Sequence, residues 1–394
     1  MSITLKLPQA DGSLAPYTLS GREPCRAPAK PVFNRVAYSA AHVVADPRAP
    51  NDPWLDCAID WDATIALRQR LWSMGLGVAE AMDTAQRGMG LDWPTSLELI
   101  RRSLDAARDF PDSLIASGCG TDHLANDARS VDDVIRAYEV QMEAIERLGG
   151  KLILMASRAL ARVAQGPADY QRVYDRLLHQ AKEPVILHWL GDMFDPALRG
   201  YWGTTDLDRA MDVALGIIEA HAAKVDGIKI SLLDKDKEIA MRRRLPAEVR
   251  MYTGDDFNYP ELIAGDGTGT ATTHRRSDAL LGIFDAIAPA ASAALSALAA
   301  GDDLRFHHIL APTVPLSRHV FGAPTRFYKT GVVFMAWLNG HQDHFVMVGG
   351  QQSARSLPHF AELLRLADAA ALIEQPELAA RRMLVLLALH GVDG

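Results

Sequence analysis

Short apolar runs alternate with longer amphipathic segments through most of the chain, and this alternation predicts its fold. The apolar runs are Val36–Val44, Gly77–Met82, Leu114–Ser117, Leu152–Met155, Val185–Trp189, Gly227–Ser231, Val249–Thr253 and Gly267–Thr272. Segments with helical spacing between them include Trp61–Met74, Ser130–Leu148, Pro167–Gln180, Leu207–Ala223 and Ile239–Leu245. Parallel strands must be joined by a crossover, which a helix supplies, so the pattern predicts a parallel sheet. Eight such units fit a closed (β/α)8 TIM barrel, an α/β fold of about 250 residues.

The two ends of the chain fall outside this pattern. Prolines, which exclude long helices and central strands, interrupt the first part of the chain. They are Pro8, Pro16, Pro24, Pro28 and Pro31. We therefore predict an N-terminal arm over residues 1–34, the barrel over 35–300, and a C-terminal helical extension over 301–394 packed on the barrel. A doubly wound open sheet is the alternative fold, but it usually begins with a glycine-rich turn, and none follows the first run.

Composition narrows the class of protein. The chain has 394 residues, 48% of them hydrophobic and 23% charged, so it can bury a large core. Its formal net charge of −8 gives no basic surface for nucleic acid or an anionic membrane. No apolar run approaches the roughly 20 residues that span a bilayer, and Met1–Ala10 lacks the features of a secretory signal. Cys25, Cys57 and Cys119 lie far apart and are expected to be reduced thiols. These features predict a cytoplasmic enzyme with neither a nucleic-acid nor a membrane partner.

One charged residue lies inside an apolar run. Lys229 stands between Ile228 and Ile230 in the segment Asp226–Ser231. In a strand the two isoleucines point one way and Lys229 the other, so its amine is expected to enter the barrel. Burying an ammonium costs several kcal/mol unless it is paired or loses its proton, and a neutral lysine amine forms Schiff bases with carbonyl compounds. A salt-bridged structural lysine, or one exposed at the far end of the strand, is the alternative.

Other segments stand around this strand in a characteristic order. Residues 184–189 read PVILHW, 227–229 read GIK, 253–256 read TGDD and 265–270 read GDGTGT. From about Arg35 to Ala300 the chain resembles the dihydrodipicolinate synthase/N-acetylneuraminate lyase family, the Schiff-base aldolase barrels, as a divergent branch. That family has a PVILYN-like fifth strand, a GIK sixth strand that carries the imine lysine, an SGDD-like segment and a glycine-rich eighth strand.

The resemblance implies roles for particular residues. Lys229 would form the imine. His188 stands where the family has its catalytic tyrosine, and an imidazole near neutrality can accept and return a proton. We therefore expect His188 to move protons, the alternative being a histidine that is only hydrogen-bonded inside the barrel. The segment Asp83–Arg87 lies where the family has the GTTGE loop that holds the substrate carboxylate, with Thr84 in place of a threonine and Arg87 in place of the glutamate.

Further residues are candidates for substrate binding. Thr84 is expected to hydrogen-bond a substrate carboxylate. Arg87 and Arg158 are expected to clamp a carboxylate or phosphate, since a guanidinium binds such groups bidentately, and a loop salt bridge is the alternative for each. Asp255 and Asp256 are expected to bind sugar hydroxyls or to tune the lysine, or else to cap the following helix.

Two other functions stay open. Glu80, Asp83, His123 and His188 follow or end predicted strands, and their convergence would suit a metal-dependent sugar isomerase or epimerase with Glu80, Asp83 and His188 as ligands. A barrel that binds its ligand without turnover is the other alternative, because the family tyrosine is replaced.

The main prediction is a class I lyase, aldolase or dehydratase that acts on a small oxo acid or a sugar-derived carbonyl compound. The lysine imine would serve as the electron sink, so no organic cofactor is expected. The expected partner is the small carbonyl substrate, and the resemblance implies a homo-oligomer.

Overall fold

The computed structural model describes residues 3–124, 128–267 and 272–393, and its centre is a closed barrel. The strands that it describes are β1 (Thr4–Pro8), β2 (Leu14–Thr18), β3 (Ala37–Ala40), β4 (Gly77–Glu80), β5 (Ile115–Cys119), β6 (Leu152–Leu154), β7 (Val185–Leu190), β8 (Val225–Ser231), β9 (Arg250–Thr253) and β10 (Asp278–Leu281). Strands β3 to β10 pair in chain order, each parallel to the next, and β10 pairs back with β3. The predicted (β/α)8 barrel is confirmed.

Helices follow the barrel strands and continue beyond the barrel. Apart from short 3₁₀ turns, the described helices are α1 (Trp61–Ser73), α2 (Trp93–Ala107), α3 (Val131–Arg147), α4 (Arg158–Val163), α5 (Pro167–Gln180), α6 (Leu207–Ala220), α7 (Lys235–Arg242), α8 (Tyr259–Ala264), α9 (Thr272–Arg275), α10 (Ile283–Ala286), α11 (Ala288–Ala299), α12 (Asp303–Leu310), α13 (Thr313–Val320), α14 (Tyr328–Leu338), α15 (Leu357–Ala369) and α16 (Pro376–Leu389). None of these helices is both long and apolar enough to cross a bilayer.

Local sequence explains where two of the barrel helices begin. The side chain of Asp60 accepts a hydrogen bond from the backbone N–H of Ala63 at 3.0 Å and so caps α1. Ser130 and Asp133 form a reciprocal capping box at the start of α3. Each cap satisfies an N–H that the helix leaves without a partner, which stabilises the helix by about 1 kcal/mol.

The eighth strand was predicted in the wrong place. It is β10 (Asp278–Leu281), in which Ala279 pairs with Ala37 of β3 and with Thr253 of β9. Residues 268–271 of the predicted run lie outside the described residues, and residue 272 begins α9. The glycine-rich segment that precedes β10 resembles the family's eighth strand, and it therefore gave the stronger but misleading signal.

Alternation along the strands decides which side chains enter the barrel. Ile228 and Ile230 of β8 belong to the apolar cluster that the helices share, whereas Tyr252 of β9 belongs to a separate cluster inside the barrel. Lys229 pairs with Tyr252 on one side and with His188 of β7 on the other. Because paired residues of parallel strands point to the same face, Lys229 and His188 both enter the barrel.

The chain outside the barrel packs against it at the mouth. Helix α14 is buried along its whole length. Its first residue, Tyr328, stacks on Phe321 with ring centroids 4.3 Å apart and meets Phe194, in the loop after β7, edge-on at 6.1 Å. The β1–β2 hairpin region joins the same helical part of the chain, because Tyr17 donates a hydrogen bond to Asp368 of α15 at 2.7 Å. The domain limits 1–34, 35–300 and 301–394 stay a prediction.

The cysteines are free thiols: Cys25 and Cys57 are partly exposed and Cys119 is buried. This agrees with the expectation of reduced thiols. Burial raises the pKa of Cys57 to about 12, so this thiol is protonated near neutrality and is a poor nucleophile.

Candidate active site

A cavity of about 230 Å³ opens beside the carboxyl ends of the barrel strands. The ionisable side chains that line it are Asp83, Arg87, Asp122, Arg158, Arg162, His188, Asp195, Tyr328, Arg326 and Lys329. The first seven come from the barrel and its loops. The last three, from the segment 326–329, come from the start of α14 and the turn before it. The mouth is therefore built by two distant parts of the chain.

Lys229 lies deeper than the lining of this cavity. Only 4% of the surface of this residue is exposed. Its electrostatic neighbours Asp83 and His188 do line the cavity. Within the described part of the chain, its amine forms no hydrogen bond and no ion pair within 4.0 Å. The amine is thus held in the barrel without being locked to a carboxylate.

Gly254, the glycine of the TGDD segment, has no side chain, and the Lys229 side chain occupies the space that one would fill. A Cβ atom at this position would lie 2.8 Å from Cε of Lys229 and 2.4 Å from Oγ of Ser231. Both distances are shorter than real carbon contacts allow, so a side chain at residue 254 would displace the lysine. This is a physical reason for a glycine at that point of the segment.

Asp83, in the loop after β4, is the anion of the site. Burial raises its pKa, but the positive charges of Lys229 and Lys329 and a hydrogen bond from Tyr328 outweigh burial and lower the pKa to about 2. Tyr328 donates this hydrogen bond to Oδ2 at 3.0 Å. The other oxygen, Oδ1, is buried and has no hydrogen-bond partner among the described residues. Asp83 is therefore a carboxylate with one oxygen still able to accept a hydrogen bond.

His188 lies beside Lys229 but is held neutral. The residue is 2% exposed, and its Nε2 lies 3.4 Å from Oγ of Ser231. Burial and the charge of Lys229 lower its pKa to about 3, although Asp83 acts in the opposite direction. Proton transfer by His188 stays a prediction, and in the resting site burial and the neighbouring Lys229 keep this imidazole neutral.

Tyr328 places a hydroxyl group at the mouth of the barrel, and this residue was not predicted from the sequence. Its oxygen lies 2.6 Å from Oγ1 of Thr84. Since the phenol hydrogen goes to Asp83, the threonine hydroxyl donates to the tyrosine oxygen. Burial and the charge of Asp83 raise the pKa of Tyr328 well above its ordinary value, so it stays protonated. Nothing in the local sequence around residue 328 signals this role, because its partners stand more than 240 positions earlier.

Thr84 is buried and does not line the cavity. The hydroxyl that was expected to bind a substrate carboxylate is instead bonded to Tyr328. Thr84 thus positions Tyr328, and the structure does not place its side chain where the predicted substrate contact requires it.

Asp256, after β9, is a buried carboxyl group coupled to Lys229. Its Oδ1 accepts a hydrogen bond from the backbone N–H of Ile283 at 3.0 Å. Burial raises its pKa to about 8, against the hydrogen bond and the charge of Lys229, which lower it. This group therefore holds a proton for most of the time at neutral pH.

Asp255 has a different role from its neighbour. Its side chain accepts hydrogen bonds from the backbone N–H groups of Phe257 and Asn258 at 2.8 Å and 3.0 Å. It also accepts from Nδ2 of Asn258 at 2.8 Å. The group ties the turn that leads into α8, which is the structural alternative considered for this pair of acids, and it is absent from the cavity lining.

Arg87 is fully engaged within the protein. Its Nε and Nη2 bind the two oxygens of Asp122 at 2.8 Å and 2.9 Å, Nη1 donates to the carbonyl of Gly118 at 2.8 Å, and Nη2 also reaches Gln141. Arg87 therefore forms the loop salt bridge that was the alternative, and its guanidinium is not free to clamp a substrate.

Arg158 remains available in part. Its Nε forms an ion pair with Asp195, but the side chain is half exposed and lines the cavity. This arginine is the one of the predicted pair that stands where a ligand could reach it.

Glu80 is directed away from the other proposed metal ligands. Arg68 binds both of its oxygens at 2.8 Å and 2.9 Å, and Ser103 donates to Oε2 at 2.5 Å. His123 contacts Gln141 through Nδ1 at 2.8 Å. In the part of the chain that the structure describes, no three His, Cys, Asp or Glu side chains are grouped to hold a metal ion. The alternative set of Glu80, Asp83 and His188 is therefore not assembled.

The fold is that of a class of (β/α)8 barrels to which dihydrodipicolinate synthases belong, and in this chain a buried lysine lies near the mouth. A prophage protein of the dihydrodipicolinic acid synthase family from E. coli K12, solved with pyruvate, has a TM-score of 0.64 at 13% identity, over 86% of this chain and 100% of that one. The 4-hydroxy-tetrahydrodipicolinate synthase of Methylacidiphilum fumariolicum SolV has a TM-score of 0.62 at 14% identity, over 87% and 98%. A putative dihydrodipicolinate synthetase from Pseudomonas aeruginosa has a TM-score of 0.59 at 14% identity, over 84% of this chain and 99% of that one.

These identities bear on the fold, and at that level they confirm the resemblance found in the sequence. The family itself follows from a second comparison. The protein-family model described as "Protein of unknown function (DUF993)" matches residues 5–392, and the chain belongs to that family. No curated protein matches the chain.

Proposed function

We propose that this protein is a class I lyase, forming a Schiff base between Lys229 and a small 2-oxo acid or a sugar-derived carbonyl compound. The observation that carries the proposal is the position of the Lys229 amine. It is buried in the barrel, has no ion pair among the described residues, and interacts electrostatically with Asp83 and Asp256. The fold shared with dihydrodipicolinate synthases supports it.

The first steps join the amine to the substrate. The ammonium of Lys229 first releases a proton to water, and the neutral amine then attacks the carbonyl carbon. The extra proton on the attacking nitrogen moves to the carbonyl oxygen, which gives a neutral carbinolamine. Asp256, which holds a proton near neutrality, is the donor that we assign to the next step, in which the hydroxyl leaves as water. The product is a protonated imine on Lys229, and the Asp83 carboxylate stabilises its positive charge.

The imine then withdraws electrons from the adjacent carbon. For a carbon–carbon lyase, the bond from that carbon to the next one breaks after a base removes the hydroxyl proton of the departing fragment, which leaves as a carbonyl compound. The remaining enamine is reprotonated before water releases the product. For a dehydratase, a base removes a proton from the adjacent carbon to give the enamine, which then expels the neighbouring hydroxyl as water with a proton from an acid. His188 is the proposed proton carrier at the carbinolamine stage. In that neutral intermediate the charge of Lys229, which lowers the pKa of His188, is absent, so the imidazole is a stronger base than in the resting site.

No organic cofactor enters this proposal, because the imine itself supplies the electron sink. A homo-oligomeric state, expected from the family resemblance, is also proposed here.

Borohydride reduction in the presence of 2-oxo acids and keto sugars, followed by peptide mapping, tests the proposal. Reduction fixes the imine, so the expected result is a mass adduct on the peptide that contains Lys229, formed only with a substrate-like carbonyl compound. The compound that gives most adduct also identifies the substrate class.

Two lysine variants provide the controls. Lys229→Ala should abolish the adduct. Lys224→Ala should retain it, because Lys224 donates to the carbonyl of Ala181 on the outside of the barrel. An adduct on Lys329, the other buried lysine, or none with any compound, would refute the assignment of Lys229 as the nucleophile.

A further inference from the structure

The cavity has more positive than negative charge left over once its internal ion pairs are formed. Asp122 is bound by Arg87 and Asp195 by Arg158. Asp83 is already neighboured by Lys229 and hydrogen-bonded by Tyr328. The lining residues Arg162, Arg326 and Lys329 then have no ion pair with any carboxylate of the described chain. The excess is local, because the whole protein has a formal charge of −8.

Lys329 is the most unusual of the three. It is 2% exposed, and its Nζ contacts Sδ of Met89 at 3.2 Å and the carbonyl of Arg326 at 3.3 Å, and lies 5.0 Å from the ring centroid of Tyr328. Burial lowers its pKa to about 8, while the charge of Asp83 raises it. A buried ammonium with such weak partners is costly, and an anion in the cavity would offset that cost.

The other two cations are exposed at the rim of the same cavity. Arg326 lies in the turn that precedes α14, and Arg162 lies on α4, four positions after Arg158 and so on the same helical face. The three side chains line the cavity from two separate parts of the chain. The guanidinium of Arg326 lies over the ring of Phe327 at 4.8 Å, a contact with its face that leaves its N–H edge able to bind an anion bidentately.

We propose that this part of the cavity binds a second anionic group of the substrate, a phosphate or a carboxylate, through Lys329, Arg326 and Arg162. The inference rests on the proposed function for the position of the reacting carbonyl at Lys229. It specifies the substrate class further: a carbonyl compound with an anionic group at the end away from the amine.

Calorimetric titration of the full chain with inorganic phosphate and with succinate tests the anion site without any chemistry at Lys229. Arg326→Ala and Arg162→Ala change exposed side chains, and Arg381→Ala, on the exposed face of α16, is the matched control outside the cavity. Removing a charge-assisted hydrogen bond should weaken binding about tenfold or more in each cavity variant. The control should bind as the wild type does. The probe that binds more tightly identifies phosphate or carboxylate as the group.

Three results would overturn the inference: binding of neither probe by the wild type, unchanged affinity in both cavity variants, or an equal loss in Arg381→Ala. Lys329→Met should also weaken binding, and its thermal unfolding shows whether that variant folds; the two arginine variants keep the test decisive if it does not.

Repeating the titration in Lys229→Ala separates this inference from the proposed function. Anion binding that is retained while borohydride traps no imine in the wild type would reject the lyase and leave the anion site standing. Imine formation with no anion binding would reject the anion site alone.

Discussion

Replacing Asp256 by asparagine should stabilise the protein at neutral pH while it impairs turnover. Asparagine has nearly the same shape and can still accept the hydrogen bond from Ile283, but it carries no titratable proton. The pKa of Asp256 is raised from 3.8 to about 8 by burial. Between these two values the unfolded chain releases the proton and the folded chain keeps it, so the wild type loses stability as pH rises.

The size of this effect follows from proton linkage. One proton bound only in the folded state changes the free energy of unfolding by about 1.4 kcal/mol per pH unit. The wild type should therefore lose about 2.7 kcal/mol relative to Asp256→Asn between pH 5 and pH 7. Above the folded-state pKa both states are ionised, and the difference between the two proteins should level off.

Urea unfolding of both proteins at pH 5, 6, 7 and 9 measures this difference directly. Substrate turnover, once the substrate is identified, should fall in the variant, because it has no proton to donate to the carbinolamine. A difference in unfolding free energy that is equal at pH 5 and pH 7 would refute the reasoning, since it would mean that Asp256 is ionised in the folded protein.

Three further substitutions have definite expected outcomes. Tyr328→Phe removes hydrogen bonds to a neutral hydroxyl and to a carboxylate, so the free energy of unfolding should fall by about 2 to 4 kcal/mol in urea; no change would contradict the described contacts. Gly254→Ala places a Cβ against Lys229 and should reduce the borohydride adduct while circular dichroism shows a folded barrel; full adduct would contradict the close contact. Arg87→Lys breaks a buried bidentate pair with Asp122 and should destabilise the protein by about 3 kcal/mol while the adduct still forms, whereas loss of adduct at normal stability would restore Arg87 as a substrate clamp.

The barrel was predictable because its signal is repeated. Runs of apolar residues separated by amphipathic segments recur along the chain, and errors in one unit do not alter the class of fold. The misplaced eighth strand shows the limit, because the pairing of the four residues of β10 with β3 depends on closure of the whole sheet. No local property of those four residues expresses that closure.

Part of the site was predictable for a similar local reason. Two-residue alternation places Lys229 opposite Ile228 and Ile230 once the segment is a strand. The orientation of His188 follows in the same way from its strand. Arg87 shows the opposite case, since its residue type suits a clamp, but its partner Asp122 lies 35 positions away and takes up the guanidinium.

By itself the sequence determined the parallel barrel, the strand that carries Lys229 and the face to which that lysine points, because these depend on patterns within one segment. Only the tertiary structure decided the charge state of the acids and of His188, the engagement of Arg87 and Glu80, and the arrival of Tyr328 and Lys329 from α14. Those properties depend on burial and on charges from distant parts of the chain, and such distances are set only when the chain has folded.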